Sequence, residues 1–393
     1  MSSLSGGQKT RVFLAGLAIH EPENVLLDEP SNHLDGAGRQ LLHGFLKATA
    51  STLLVVSHDR QLLNLLDTVG ELSPQGIAMY GGNYAFYAEQ KQLERNALSQ
   101  DVRNREKALR TARETARETL ERQQKQTARG KKSQDKAGLP TIVLGMMRNS
   151  AENSASRLKG VHAEKVGALA QELSELRQQL PDISQMKLQL DDSALHRGKL
   201  LFEAQDLNHD YGPGPLWREP LSFRLHSGER LALQGLNGAG KTTLIRLLLG
   251  ELAPTQGTLH RAGSRTVFID QDYSLINGAL TVYEQAQHFN ATGLAEHEVK
   301  IRLARFLFPN ACWDKPSRTL SGGEKMRLLL CCLTIGQQAP DLVVLDEPTN
   351  NLDLQNLEIL TAALNDYQGT LLVVSHDAHF LEQVHAQRTL WLA

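Results

Sequence analysis

Cysteine is scarce in this sequence: three in 393 residues, at Cys312, Cys331 and Cys332. An odd count without framework spacing excludes a disulfide-built scaffold and suits a reducing compartment. The spacing of the three matches no metal-ligating pattern. No apolar run reaches the ~18 residues that a membrane-spanning helix needs. No segment reads as a secretory signal peptide. A membrane span is therefore not expected, although a membrane partner is compatible with the sequence, and the cytoplasm is the expected compartment. Net charge is also nearly absent, at −2. Any surface for a nucleic acid must then be local. The remainder, 41% hydrophobic and 22% charged, is ordinary for a globular protein. The length suits two to three domains.

One stretch stands out from that background. Gly235-Leu236-Asn237-Gly238-Ala239-Gly240-Lys241-Thr242-Thr243 fits G-x-x-x-x-G-K-[ST]. It follows an apolar run at 230–234 that reads as a strand, and it precedes 244–249, which reads as a helix. Strand, glycine loop and helix together are the context that confirms a phosphate-binding loop. The glycines let backbone N–H groups turn inward onto phosphate oxygens, and the helix N-terminus adds partial positive charge. Lys241 is expected to reach the β- and γ-phosphates of a nucleotide, and Thr242 to hold Mg²⁺. A glycine turn ahead of a buried helix is the plainer reading, but it leaves the Lys-Thr pair unexplained.

The chain contains a large internal repeat. Leu4-Ser5-Gly6-Gly7-Gln8, Asp28-Glu29-Pro30, Ser31-Asn32-His33-Leu34-Asp35 and Ser57-His58-Asp59 appear in order near the start. Leu320-Ser321-Gly322-Gly323-Glu324, Asp346-Glu347-Pro348, Thr349-Asn350-Asn351-Leu352-Asp353 and Ser375-His376-Asp377 follow in the same order near the end. Both Asp-Glu pairs follow short apolar runs that read as buried parallel strands, which places the carboxylates at a sheet's ligand-binding end. Ser5 and Ser321 each precede a helical pattern and can cap it. Asn351 stands where the first half has His33.

These motifs resemble the signature, Walker B, D-loop and switch histidine of ATP-binding cassette (ABC) ATPases. Two such sets joined by a charged helical linker resemble the ABC-F subfamily. The resemblance implies an α/β P-loop NTPase fold. It divides the chain into a partial first cassette at 1–88, a basic α-helical coiled-coil hairpin at 89–198 and a complete second cassette at 199–393. The first set lies close to Met1 and has no P-loop ahead of it, so the first cassette is expected to lack a lobe.

The expected linker has its own signals. Residues 91–165 hold eighteen Lys and Arg against nine Asp and Glu. Leu98, Val102, Leu109, Ala112 and Ala116 recur near helical spacing, and Val166, Leu169, Leu173, Leu176 and Leu180 step by three and four, as a coiled-coil seam does. Pro181 should stop the second helix. The breakers between Gly130 and Asn153 predict a partly irregular tip carrying Lys131, Lys132, Lys136 and Arg148. Such a cluster attracts phosphate backbones. The tip has no aromatic residue, so base stacking is not its mode. A solvated spacer is the plain alternative. In ABC-F proteins this linker contacts transfer RNA on the ribosome, and the resemblance carries that expectation here.

The family pairs its cassettes head to tail, so that ATP lies between one P-loop and the opposite signature. The resemblance then gives Ser5, Gly6, Gly7 and Gln8 as the far wall of the site at Lys241, and Tyr211 as the aromatic that stacks on adenine. It gives Asp346 as the Mg²⁺ ligand, directly or through water, with Gln271 sensing metal and water. Glu347 is the implied general base, and His376 the contact to the γ-phosphate. ATP and Mg²⁺ are the implied cofactors. A ribosome with tRNA is the implied partner, and a second copy could complete the partial cassette. The rival readings are an ATPase subunit of a membrane transporter, a DNA-binding ABC ATPase, and a target-binding fragment with little hydrolysis.

Overall fold

The computed structural model describes residues 6–32, 34–73, 76–134, 141–179, 195–212, 214–291, 293–336, 339–350 and 352–392, with backbone alone at 6–7, 123–124, 126–134, 141–155, 158 and 178–179. The chain forms two compact units, Met1–Tyr84 with Ile183–Ala393, and Ala85–Asp182.

The early part of the first unit runs α1 (Gly6–His20), β1 (Asn24–Asp28), α2 (Gly36–Ala48), β2 (Thr52–Val56), α3 (Arg60–Leu63), β3 (Thr68–Ser73) and β4 (Gly76–Gly81). The strands β1 and β2 pair in parallel, and β3 and β4 form an antiparallel hairpin. One face of the parallel pair, with Leu27, Leu53 and Val55, packs on Leu14, Leu34, Leu42 and Leu46 from α1, α2 and the turn between β1 and α2.

Two long helices follow, α4 (Tyr84–Gln134) and α5 (Thr141–Gln179). Leu109 and Leu173 are buried, and Leu98, Val102, Ala112, Ala116, Val166, Leu169 and Leu176 are half-buried. Arg105–Glu172 at 3.0 Å and Arg177–Glu106 at 2.5 Å bridge the two helices. Exposed pairs of this kind contribute at most ~1 kcal/mol, so the apolar stripe holds the helices together. The partly irregular tip expected between Gly130 and Asn153 is corrected at both ends: α4 continues through Gly130 to Gln134, and α5 already begins at Thr141, while residues 135–140 lie outside the described residues. One glycine inside a helix costs only ~1 kcal/mol, too little to stop a helix with good formers on both sides. Lys136, Leu180 and Pro181 lie outside the described residues, as do the side chains of Lys131, Lys132 and Arg148.

The later part of the first unit runs β5 (Leu200–Asn208), β6 (Leu221–His226), β7 (Arg230–Gly235), α6 (Lys241–Leu249), β8 (Gln256–Arg261) and β9 (Thr266–Ile269). It continues with α7 (Val282–His288), α8 (Glu296–Arg305), α9 (Gly322–Ile335), β10 (Leu342–Asp346), α10 (Leu354–Asp366), β11 (Thr370–Val374), α11 (Ala378–Gln383) and β12 (Arg388–Leu392). The parallel sheet has the order β12-β7-β11-β10-β9, and β6-β5-β8 form a separate antiparallel sheet. Val343, Leu345, Leu371 and Val373 pack with α9 and α10 on one face. Leu342, Val344, Leu372 and Val374 pack with α6 and the antiparallel sheet on the other. Burial on both faces explains why these strands read as unbroken apolar runs.

The sequence repeat is a structural repeat, with one difference. Asp28 lies opposite Val56 in the first half as Asp346 lies opposite Val374 in the second. Yet Leu26 and Leu54 are 76% and 62% exposed, whereas their counterparts Val344 and Leu372 are 0% and 1% exposed. In the second half that face is closed by α6 and the antiparallel sheet; among the described residues no element does this for the first.

Candidate functional site

The P-loop joins the carboxyl end of β7 to α6. Gly240 sits at the head of α6 with φ +89°. A Cβ there would lie 2.6 Å from Leu216 Cδ2 and 2.9 Å from Trp217 Nε1. Both the backbone angle and the space therefore demand glycine. Trp217 is buried and donates from Nε1 to the Ala239 carbonyl at 2.8 Å, which props the loop from behind. The ammonium of Lys241 curls over the loop, donating to Gly235 O at 2.8 Å and Leu236 O at 3.3 Å. It also lies 3.3 Å from His376 Nε2. Burial lowers its pKa, and Glu347, Asp346 and Asp35 oppose that shift.

Asp346 ends β10, the neighbour of β11 whose carboxyl end leads to His376. Burial raises the Asp346 carboxyl, with Lys241 opposing and Asp270 adding to the rise. Glu347 adopts φ +47°, a left-handed angle uncommon for a glutamate. Its N–H donates to Val374 O at 2.9 Å, which fixes the turn. Burial pushes its carboxyl up to about 7, against the pull of Lys241; Asp346 adds to the rise, while Arg39 and the His376 N–H oppose it. Burial pushes the His376 imidazole down to about 4, helped by Lys241 and Arg39 and opposed by Asp35. His376 is therefore neutral near pH 7, and its 3.5 Å approach to Glu347 Oε1 is a polar contact, not an ion pair.

The first half repeats this turn. Glu29 has φ +43°, its N–H donates to Val56 O at 2.8 Å, and His58 Nε2 lies 3.4 Å from Glu29 Oε1. Burial raises the Glu29 carboxyl, and the side chains that act on it are His58, Asp28 and Asp59, with no lysine in the part of Lys241. The first half instead meets the P-loop of the second. Asp35 caps α2, accepting from Gly38 N at 2.8 Å, from Arg11 Nη2 at 2.7 Å and from the Asn237 N–H. Burial alone would raise its carboxyl; these donors outweigh burial and hold it below the usual range.

The other candidates are placed as follows. The Tyr211 hydroxyl is 3.2 Å from Thr243 Oγ1, and the ring meets His209 edge-on at 4.6 Å, leaving it largely exposed beside α6. Gln271 follows β9, whose Ile269 pairs with Leu345, so it lies at the same sheet end as Asp346. Thr242 lies in the first turn of α6. Ser321 caps α9 reciprocally with Glu324. Gly6, Gly7 and Gln8 open α1. Ser5, His33 and Asn351 lie outside the described residues. Sequence reasoning gave no role to Trp217 or Arg39, and it placed Asp35 in the D-loop motif without foreseeing its bond to the P-loop. Neither Trp217 nor Arg39 carried a local signal, whereas Asp35 also reads as an aspartate just ahead of a helix. The donor set suits a nucleotide with Mg²⁺: an inward ammonium on a loop that tolerates no Cβ at Gly240, beside two half-buried carboxylates held above their usual range.

A glycine loop at the end of β7 and an Asp-Glu pair at the end of β10, on one parallel sheet, define a P-loop nucleotide-binding cassette. The family model described as ABC transporter matches residues 219–350. The ATP-binding protein YdiF of Bacillus subtilis (strain 168) is 34% identical over 395 residues, covering 100% of this chain and 56% of that protein. The ribosome protection protein VmlR of the same organism is 29% identical over 383 residues, covering 97% of this chain and 67% of that protein. A solved structure of RNase-L Inhibitor shares the fold, with a TM-score of 0.59 at 21% identity over 98% of this chain and 61% of that one. The chain thus spans about half to two thirds of the length of these curated relatives. It belongs to the ABC ATP-binding proteins of the ABC-F type. No described helix is long and apolar enough to cross a membrane.

Proposed function

We propose that this chain binds ATP with Mg²⁺ at Gly235–Thr243, hydrolyses it slowly, and uses the resulting closure to act on the ribosome through its basic helical pair. The observation that carries the ATPase reading is the convergence of Lys241, Asp346, Glu347 and His376 at the end of one sheet. In this reading Lys241 exchanges the carbonyls of Gly235 and Leu236 for phosphate oxygens. Thr242, Gln271 and Asp346 would hold Mg²⁺, which when bound neutralises charge on the β- and γ-phosphates. Glu347 takes the proton of the attacking water, which its raised pKa suits. Neutral His376 contacts the γ-phosphate. Tyr211 stacks on adenine, and Ser5, Gly6, Gly7 and Gln8 close the far side. ATP titration followed by steady-state phosphate release tests this reading, and an absence of ATP binding would end it.

The ribosome and its tRNA are the target in this reading, in the cytoplasm. The support is the similarity to VmlR, a ribosome protection protein, and the excess of nine positive charges (eighteen against nine) over residues 91–165. Changing Lys131, Lys132 and Lys136 to Glu is expected to abolish co-sedimentation with ribosomes while ATP binding persists. Association of the unchanged protein should also weaken steeply with salt. Salt-independent association would make the helices a spacer. A second copy of the chain is a further partner, since the exposed face around Leu26 and Leu54 needs a cover. Sedimentation velocity should show concentration-dependent association that Leu54→Asp reverses; a strictly monomeric unchanged protein would discount this partner.

A further inference from the structure

One charge at the meeting of α2 with the P-loop belongs to none of the motifs. Arg39 lies one turn beyond Asp35, the residue that bonds the Asn237 N–H. Its guanidinium folds back toward the start of the helix. Nε donates to Leu34 O at 3.4 Å, and Nη1 pairs with Asp59 Oδ2 at 3.0 Å. The Arg39 side chain is 17% exposed and that of Asp59 7%. A cation at a helix N-terminus opposes the helix dipole. A buried one also carries a desolvation cost that its partner offsets only in part.

The internal repeat shows that the fold does not require this arginine. Asp35 matches Asp353, so Arg39 matches Leu357, which is buried in the apolar core of the second half. The first half therefore holds a cation where its repeat holds a hydrocarbon, at an unfavourable helix end, one helical turn from the aspartate that bonds the P-loop of the other half. The charges within its reach include Glu347 and His376, each of which it influences less than burial and Lys241 do.

We propose that Arg39 is a positioning cation, supplied by the first half to the ATP site of the second and anchored by Asp59 and the Leu34 carbonyl. Its fixed charge would stabilise the negative charge that spreads over the phosphate oxygens as the terminal phosphoryl group is transferred to water. This inference rests on the reading that the Lys241 site hydrolyses ATP.

The test compares the full chain with Arg39→Leu, which installs the residue of the repeat, with Arg39→Lys, which keeps the charge, and with Glu347→Gln. ATP affinity by titration, the maximal rate of phosphate release and the melting temperature are measured for each. Arg39→Leu is expected to lower the maximal rate about tenfold while ATP affinity stays within about threefold of the unchanged protein. Arg39→Lys should recover at least half of the lost rate. An unaltered rate in Arg39→Leu would overturn the inference. So would a loss confined to affinity. Equal damage in both Arg39 variants with a matching fall in melting temperature would assign Arg39 to the fold instead. If Glu347→Gln stops hydrolysis and Arg39→Leu does not, only the role of Arg39 fails. If the unchanged protein and Glu347→Gln release phosphate equally, the ATPase reading itself fails.

Discussion

Glu347→Gln is expected to lower steady-state phosphate release by roughly 100-fold or more while ATP stays bound. Glutamine keeps the shape of the side chain and loses the base. The matching change in the other half, Glu29→Gln, should alter the rate little. The two glutamates share a strand end, a left-handed backbone angle and a histidine neighbour. They differ in surroundings, because Lys241 acts on Glu347 and no lysine acts on Glu29. A base matters only where a phosphate is held in line with its water, and Gly235–Thr243 is the one G-x-x-x-x-G-K-[ST] loop in the sequence. By the head-to-tail rule Ser5→Ala should also slow hydrolysis, and Ser321→Ala should not. These four variants, measured for phosphate release in protein confirmed as monomer, test the asymmetry. Equal damage from Glu29→Gln and Glu347→Gln would refute the single-site reading.

The same glutamate sets a pH dependence. Its carboxyl is pushed up to about 7, so the proton-accepting form dominates above that value and is lost as pH falls through it. The rate should decline as pH is lowered past about 7. His376, held near 4, stays neutral across that range and contributes no second limb. The residual rate of Glu347→Gln should lack this decline; an identical profile in the variant would assign the titration to another group.

Lys241→Ala is expected to weaken ATP binding at least tenfold, equivalent to ~1.4 kcal/mol. The ammonium is half-buried, and three carboxylates act on it, those of Glu347, Asp346 and Asp35. Alanine would leave those charges facing the phosphates without an opposing cation. The backbone N–H groups of a phosphate-binding loop offer dipoles and cannot replace a full positive charge. Burial would then raise the carboxyls of Asp346 and Glu347 further, since Lys241 is what draws both down. Calorimetric titration of the variant with Mg²⁺ and ATP checks this, and an affinity equal to that of the unchanged protein would remove the loop from the binding site.

What could be read from the order of residues was the local geometry. Gly240 followed by Lys241 dictates a loop into a helix, because glycine alone fits that angle and that space. The apolar runs before Asp28 and Asp346 dictate parallel strands, and the repeat dictates that the two halves share a register; the burial those runs also imply on both faces holds in the second half and not in the first, where Leu26 and Leu54 are exposed. Spacing carries such information because a few consecutive dihedrals decide it. The reach of the helices was less legible: Gly130 did not stop α4, since one glycine costs little against a long run of good formers. Only the tertiary structure decided which of two matching Asp-Glu pairs stands near an ammonium. It also decided that Asp35 meets Asn237, that Trp217 props the P-loop, and that Arg39 pairs with Asp59 while its counterpart Leu357 lies in a core. Those outcomes depend on burial and on neighbours distant in the chain. A charge buried beside Lys241 and a charge left near the surface are written with the same three letters, Asp-Glu-Pro, and differ only in what folds over them.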